Sequence, residues 1–244
     1  MAIVTSWYVA LAITKMSFLK LIKQSILLAL VFGATFTHSA IANEGITQFR
    51  EFIANVKNAE GEFSQQQIRP PRSGEAQPKV LKKSQGRFVF ERPGKFIWQT
   101  IKPFEQKVIA DGQRLLLWDK DLNQLTIRPA GKSLSASPAA ILFGQVAIDE
   151  RFELIPGGEK GGMYWLELKP RADRADRAER TTADIPYSRI GVGMANGLPA
   201  GLELHDNFGT ITLINLSKIR INGNLGAEVF KFNPPPGADV LNVQ

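Results

Sequence analysis

Two hydrophobic rhythms run along this chain, and where one gives way to the other the chain changes character. Residues 25–34, Ser-Ile-Leu-Leu-Ala-Leu-Val-Phe-Gly-Ala, form a nearly unbroken apolar run behind Lys20 and Lys23. Over residues 45–57 the apolar positions Ile46, Phe49, Phe52, Ile53 and Val56 recur at three- and four-residue spacing, which predicts a helix with one greasy face. A first strand follows through residues 60–67, and Pro70, Pro71, Gly74 and Pro78 mark an exposed connection. From Gly86 the period drops to two. Residues 87–91 alternate, Arg92-Pro93-Gly94 turns the chain, and residues 95–100 alternate again, predicting a hairpin with Phe88, Phe90, Phe96 and Trp98 on every second position.

The same rhythm predicts strands at 107–110, 114–118, 124–128, 164–168, 188–192, 202–205, 210–215, 218–221 and 229–232, with Asp111-Gly112 and Asp206-Asn207-Phe208-Gly209 as turns. Many short strands at near-regular spacing imply a mostly β fold, a large antiparallel sheet that curls on itself. Residues 137–144 break the rhythm: Ser137 as N-cap, Pro138 at the first helical position, Ile141-Leu142-Phe143 and then Gly144 predict a short, strongly apolar helix lying against that sheet. Residues 157–162, Gly-Gly-Glu-Lys-Gly-Gly, lack the G-K-[ST] ending of a phosphate loop and lie between strands, so they read as a hairpin loop. The charged repeat at 171–180 reads as a solvated insertion.

The cationic start, the short apolar core and the small residues Ala40 and Ala42 have the three parts of a secretory signal, with cleavage expected after Ala42. The apolar core falls short of the ~20 residues that span a bilayer, which disfavours a permanent anchor. A signal starting at Met16 would be complete, so residues 1–15 read as a start assigned too early. The expected organisation is therefore a signal over 1–42 and one domain over 43–244. Removing 42 of the 244 residues leaves 202, enough for one substantial core, and takes three lysines with it, lowering the formal charge from +7 to +4. A diffuse charge of that size outside the cytoplasm argues against nucleic acid as a partner. With no cysteine, neither a disulfide nor a thiolate metal site is expected.

The inventory for catalysis is thin. His205 is the one histidine beyond residue 42, no G-x-S-x-G elbow accompanies it, and no companion ligands suggest a metal site. The acids of Asp119-Lys120-Asp121 and Asp149-Glu150 read as solvated loop residues; the alternative, a glycosidase, would need two carboxylates facing each other across a cleft. No catalytic residue, cofactor or metal is expected. What remains is aromatic: Phe88, Phe90, Phe96, Trp98, Leu116 and Trp118 either fill a core or line an apolar cavity for a lipid, where each buried methylene is worth about 0.8 kcal/mol.

The block Gly86 to Trp98 resembles the R-P-x-x-F-x-W hallmark of the LolA family, the periplasmic outer-membrane lipoprotein carriers. The likeness continues through Phe63-Ser64-Gln65, Pro103, Asp111-Gly112, residues 137–144 and the closing Phe230-Lys231-Phe232-Asn233-Pro234-Pro235-Pro236-Gly237, covering about 46–240. The resemblance implies an incomplete, strongly curved antiparallel barrel whose short helices form a lid over a hydrophobic cavity. It implies a monomeric carrier that accepts acylated lipoproteins from an inner-membrane ABC-type release complex and hands them to an outer-membrane receptor. Binding other lipids or glycolipids in the periplasm on the same fold is the alternative. Arg92 matches the family arginine that latches the lid; Phe96 and Trp98 match cavity aromatics; Ile141, Leu142 and Phe143 fall where the lid helix is expected. The receptor shares the general fold but is a lipoprotein, needing a cysteine after its cleavage point. Here Ala42 is followed by Asn43-Glu44, so the expectation is the soluble periplasmic shuttle.

Overall fold

The computed structural model describes residues 37–130, 142, 148–171 and 186–243, with side chains from Asn43 onward. Two compact units divide between Ala42 and Asn43; of the first, only the helical backbone of residues 37–42 is described. The helix α1 (Thr37–Asn55) starts earlier than the apolar spacing predicts, and its buried face is the predicted one, with Phe49, Phe52 and Val56 buried and Ile46 and Ile53 partly so.

Among the described residues twelve strands form one sheet: β1 (Asn58–Arg69), β2 (Lys79–Glu91), β3 (Lys95–Lys102), β4 (Gln106–Asp111), β5 (Arg114–Asp119), β6 (Gln124–Pro129), β7 (Phe152–Lys160), β8 (Met163–Pro170), β9 (Tyr187–Ala195), β10 (Leu198–Asp206), β11 (Ile211–Ile221) and β12 (Asp239–Asn242). A one-turn helix, α2 (Ile148–Arg151), precedes β7. The order across the sheet is β12-β6-β5-β4-β3-β2-β1-β11-β10-β9-β8-β7, so among the described residues β7 and β12 are the edge strands and the barrel is open. Every pairing is antiparallel except β12 on β6, which is parallel.

The predicted hairpin is formed, with Phe88 opposite Trp98 and Phe90 opposite Phe96. Its strands sit close: a side chain at Gly86 would collide with the carbonyl oxygen of Gln99 on β3. Several expectations are corrected. The strands expected at 210–215 and 218–221 are one strand, β11, because Lys218 adopts a left-handed backbone (φ 52°) at a bulge between the pairs Glu62–Ser217 and Glu60–Arg220 and the ladder continues past it. Residues 229–232 are not a strand: a turn covers 227–230 and irregular chain follows, with Phe230 and Phe232 held by packing and not by a ladder. β7 absorbs Gly157 and Gly158, and the loop proper is Gly161-Gly162, both at positive φ. The short β12 and α2 carry too little periodicity to be read from sequence.

The core lies on the concave face. One cluster gathers side chains from β1 to β5 and from β7 to β11 together with α1 and Leu142, and elements so far apart in the sheet can meet only if it curls. A second cluster, on the other face, holds Ile109, Leu116, Trp118 and Leu125, with Ile97, Ile127, Phe232 and Ala238 packed on it. Strand β5 divides between them: Leu115 and Leu117 join the first, Leu116 and Trp118 the second, as the two-residue side-chain period requires.

Candidate functional site

The aromatic face is built by register. Phe88, Phe90, Phe96 and Trp98 all point inward, Phe63 of β1 stacks on Trp98 at 4.0 Å between ring centroids, and Phe88 flanks the same indole at 6.0 Å. Phe52 of α1 meets Phe90 edge to face at 6.2 Å. These four predicted residues thus share one apolar surface. Leu116 and Trp118, expected beside them, do not: they face outward, where Trp118 packs on Phe232 at 5.5 Å. Alternation along β5 forbids Leu116 and Trp118 from sharing the face that Leu115 and Leu117 occupy. The concave face is covered in the described residues. Phe49 and Phe52 of α1 fill it together with Val56 just past the helix end, and Leu142 is fully buried against it. Ile141, Phe143 and most of the expected helix 137–144 lie outside the described residues, as does most of the charged repeat at 171–180.

Arg92, at the turn between β2 and β3, joins the two covering segments. Its Nε donates to the carbonyl of Val56, just past the end of α1, at 3.0 Å, and its Nη2 donates to the carbonyl of Leu142 at 2.9 Å. The guanidinium carbon lies 5.1 Å from the Phe90 ring centroid and 5.6 Å from that of Phe52. Its planar fork suits two carbonyls in different directions, and the aromatic faces compensate part of the lost hydration. Burial pushes the Arg92 pKa down to about 10, so the group is still charged at neutral pH.

Other tethers of α1 went unread in the sequence. Asn222, at the end of β11 with φ 53°, accepts from the backbone N–H of Lys57 at 2.8 Å and donates to the carbonyl of Asn55 at 3.2 Å, while its own N–H donates to Asn58 at 2.8 Å. It closes the helix end whose last carbonyls lack helical partners. The Asn222-Gly223 pair was the available signal, a turn dipeptide after a strand. Towards the other end of α1, Gln48 Oε1 accepts from the Gly197 N–H at 3.0 Å, and Arg50 pairs with Asp149 at 2.9 Å with both side chains exposed. At Gly45 a Cβ would stand 2.8 Å from the Trp165 carbonyl oxygen, which fixes how closely the helix lies on β8. His205 sits on the outward face in an ion network, 3.0 Å from Glu203 and 2.7 Å from Arg189, away from the aromatic surface.

A curled open barrel with an apolar concave face and a covering helix held by a handful of polar tethers is the class of fold seen here. The described residues bury no charged or polar residue fully. Comparison with known proteins agrees with that class. The family model for the outer membrane lipoprotein carrier protein LolA matches residues 54–233. An outer-membrane lipoprotein carrier protein from Ralstonia nicotianae is 43% identical over 204 residues, covering 83% of this chain and 90% of that one. One from Bordetella avium is 38% identical, covering 84% and 90%. A solved LolA-superfamily structure from Nitrosomonas europaea aligns with a TM-score of 0.45 at 11% identity, covering 79% of this chain and 98% of that one. This chain belongs to the LolA family.

Proposed function

We propose that this protein carries acylated lipoproteins across the periplasm, taking them from an ABC-type release complex in the inner membrane and passing them to an outer-membrane receptor. Residues 1–42 direct its export and are removed, leaving a cysteine-free chain that diffuses. No bond is made or broken in the cargo. The observation that carries the reading is the apolar concave face covered by α1, in a chain whose relatives are named as lipoprotein carriers.

Phe88, Phe90, Phe96 and Trp98 would receive the acyl chains once α1 and the segment around Leu142 move aside. The energy scale is suitable. Burying Phe49, Phe52 and Val56 is worth about 1.5–3 kcal/mol each, roughly 5–9 kcal/mol together, which about six to eleven buried methylenes would replace. An acyl chain therefore displaces the protein's own cover at modest net gain, as a carrier that must later release its cargo requires. Arg92 sets the balance by holding the covered state.

The test is to isolate the protein from cell envelopes and identify its bound species by mass spectrometry. Triacylated lipoproteins are expected; free lipids alone would overturn the reading in favour of a general lipid binder.

A further inference from the structure

Several of the exposed large apolar side chains lie toward one rim of the barrel. Pairing places Ile68 of β1 beside Val80 of β2 and Ile211 of β11, and Gln85 of β2 beside Lys102 of β3, so these strand ends share one edge of the sheet. There Val80 is 46% exposed, Leu81 51%, Phe104 in the β3–β4 turn 60% and Phe208 in the β10–β11 turn 95%. An aromatic ring left in water at a turn gains nothing for the fold.

Cations stand between these side chains. Lys82, Lys83 and Lys102 are on the same strand ends and form no ion pair among the described residues, whereas neighbouring Arg69 is held by Glu75 at 2.9 Å and Lys120 by Glu105 at 2.8 Å. Lys79 adds a further positive charge beside the Arg69–Glu75 pair. The two aromatic tips belong to hairpins on either side of the β1–β2 ribbon, four strand spacings or about 19 Å apart along the rim. One partner must therefore reach both tips and the lysines between them. Apolar wedges interleaved with unpaired lysines are the pattern that seats on an anionic lipid surface.

We propose that this rim is a membrane-docking surface that seats reversibly on anionic phospholipid headgroups. The proposal stands on the surface itself and holds whatever the concave face carries.

The experiment is vesicle co-sedimentation of protein expressed from the full-length chain, its amino terminus fixed by mass spectrometry. Vesicles of phosphatidylglycerol with phosphatidylethanolamine are compared with vesicles of phosphatidylcholine. Binding is expected to favour the anionic vesicles and to weaken as salt is raised. The double variant Phe104→Ser/Phe208→Ser and the triple variant Lys82→Gln/Lys83→Gln/Lys102→Gln should each lose about tenfold or more in partitioning. Their thermal midpoints should match wild type, since the altered side chains are exposed. Equal binding to both vesicle types, or variants that partition like wild type, would overturn the proposal. So would vesicles that bind nothing while the same residues govern capture by a solubilised envelope protein, which would make the rim a protein-docking surface.

Discussion

Replacing Arg92 by leucine tests the latch directly. The substitution removes donors to the Val56 and Leu142 carbonyls while keeping an apolar stem of similar reach between Phe52 and Phe90. Hydrogen bonds from a charged donor contribute about 1.5–3 kcal/mol each, and the guanidinium's own desolvation offsets part of that, so the covered state should lose about 1–3 kcal/mol. The sheet itself does not depend on these bonds. If acyl chains bind only after α1 has moved, the apparent affinity for an acylated lipopeptide must rise by the factor the covered state loses, about 5- to 150-fold. Release to an acceptor slows correspondingly, so the variant should load well and deliver badly.

The assay is anisotropy titration with a fluorescent acylated lipopeptide, alongside hydrogen exchange of the amides in α1. Arg92→Leu should bind more tightly, release more slowly and expose the α1 amides to faster exchange, with a thermal transition that remains cooperative. Affinity within about twofold of wild type together with unchanged protection of α1 would refute the latch, because a bond that biases the two states must appear in both measurements.

Three further outcomes follow from the geometry. Asn222→Ala frees the Asn55 carbonyl and the Lys57 N–H at the end of α1 and should cost about 1–2 kcal/mol in urea unfolding, with faster exchange confined to residues near the helix end. Gly86→Ala should fail to give a folded protein, judged by circular dichroism, because its methyl group meets the Gln99 carbonyl and neither strand of the hairpin can yield. The Tyr187 phenol is pushed up from 10.0 to about 12, by burial first and by the Asp206 carboxylate second. The folded chain then holds that proton more tightly than the unfolded one, so its stabilisation is complete below pH 10 and is lost as the pH rises to about 12; Tyr187→Phe should flatten the stability curve over that window.

The β2–β3 hairpin and the greasy face of α1 were legible because a single local period carries each, and because Phe88, Phe90, Phe96 and Trp98 repeat it without interruption. Arg92 was legible through the resemblance and not through its own chemistry, since nothing local distinguishes it from other arginines near turns. Leu116 and Trp118 misled because residues 115–118, Leu-Leu-Leu-Trp, are apolar without alternation. A strand buried on both faces reads the same whichever face each side chain takes. The covering of the second face comes from Phe232 and Ala238, more than a hundred residues away, and no window on β5 contains that information. Asn222 was missed for a similar reason: its partners, Asn55, Lys57 and Asn58, lie at the far end of the sequence and are brought close by the β1–β11 pairing.

The division of β5 between two clusters suggests how a barrel can surrender its inner cover and keep its shape. If α1 leaves as proposed, the wall formed by β4 and β5 loses its inner support, but Trp118, Leu116 and Ile109 remain packed beneath Phe232, and β12 remains paired with β6. The outer cluster is then structural in every state, whereas the inner aromatics exchange one apolar neighbour for another. Truncation separates the two roles. Trp118→Ala and Phe96→Ala should each cost about 3–5 kcal/mol in the empty protein, because both side chains are buried. With saturating acylated lipopeptide the Trp118→Ala deficit should persist beyond the common gain from ligand binding. The Phe96→Ala deficit should shrink, since a flexible acyl chain can occupy the space the ring leaves. Thermal denaturation of both variants with and without the lipopeptide measures this directly. Equal deficits in the two conditions for Phe96→Ala would show that the ring is core alone and that cargo does not reach it.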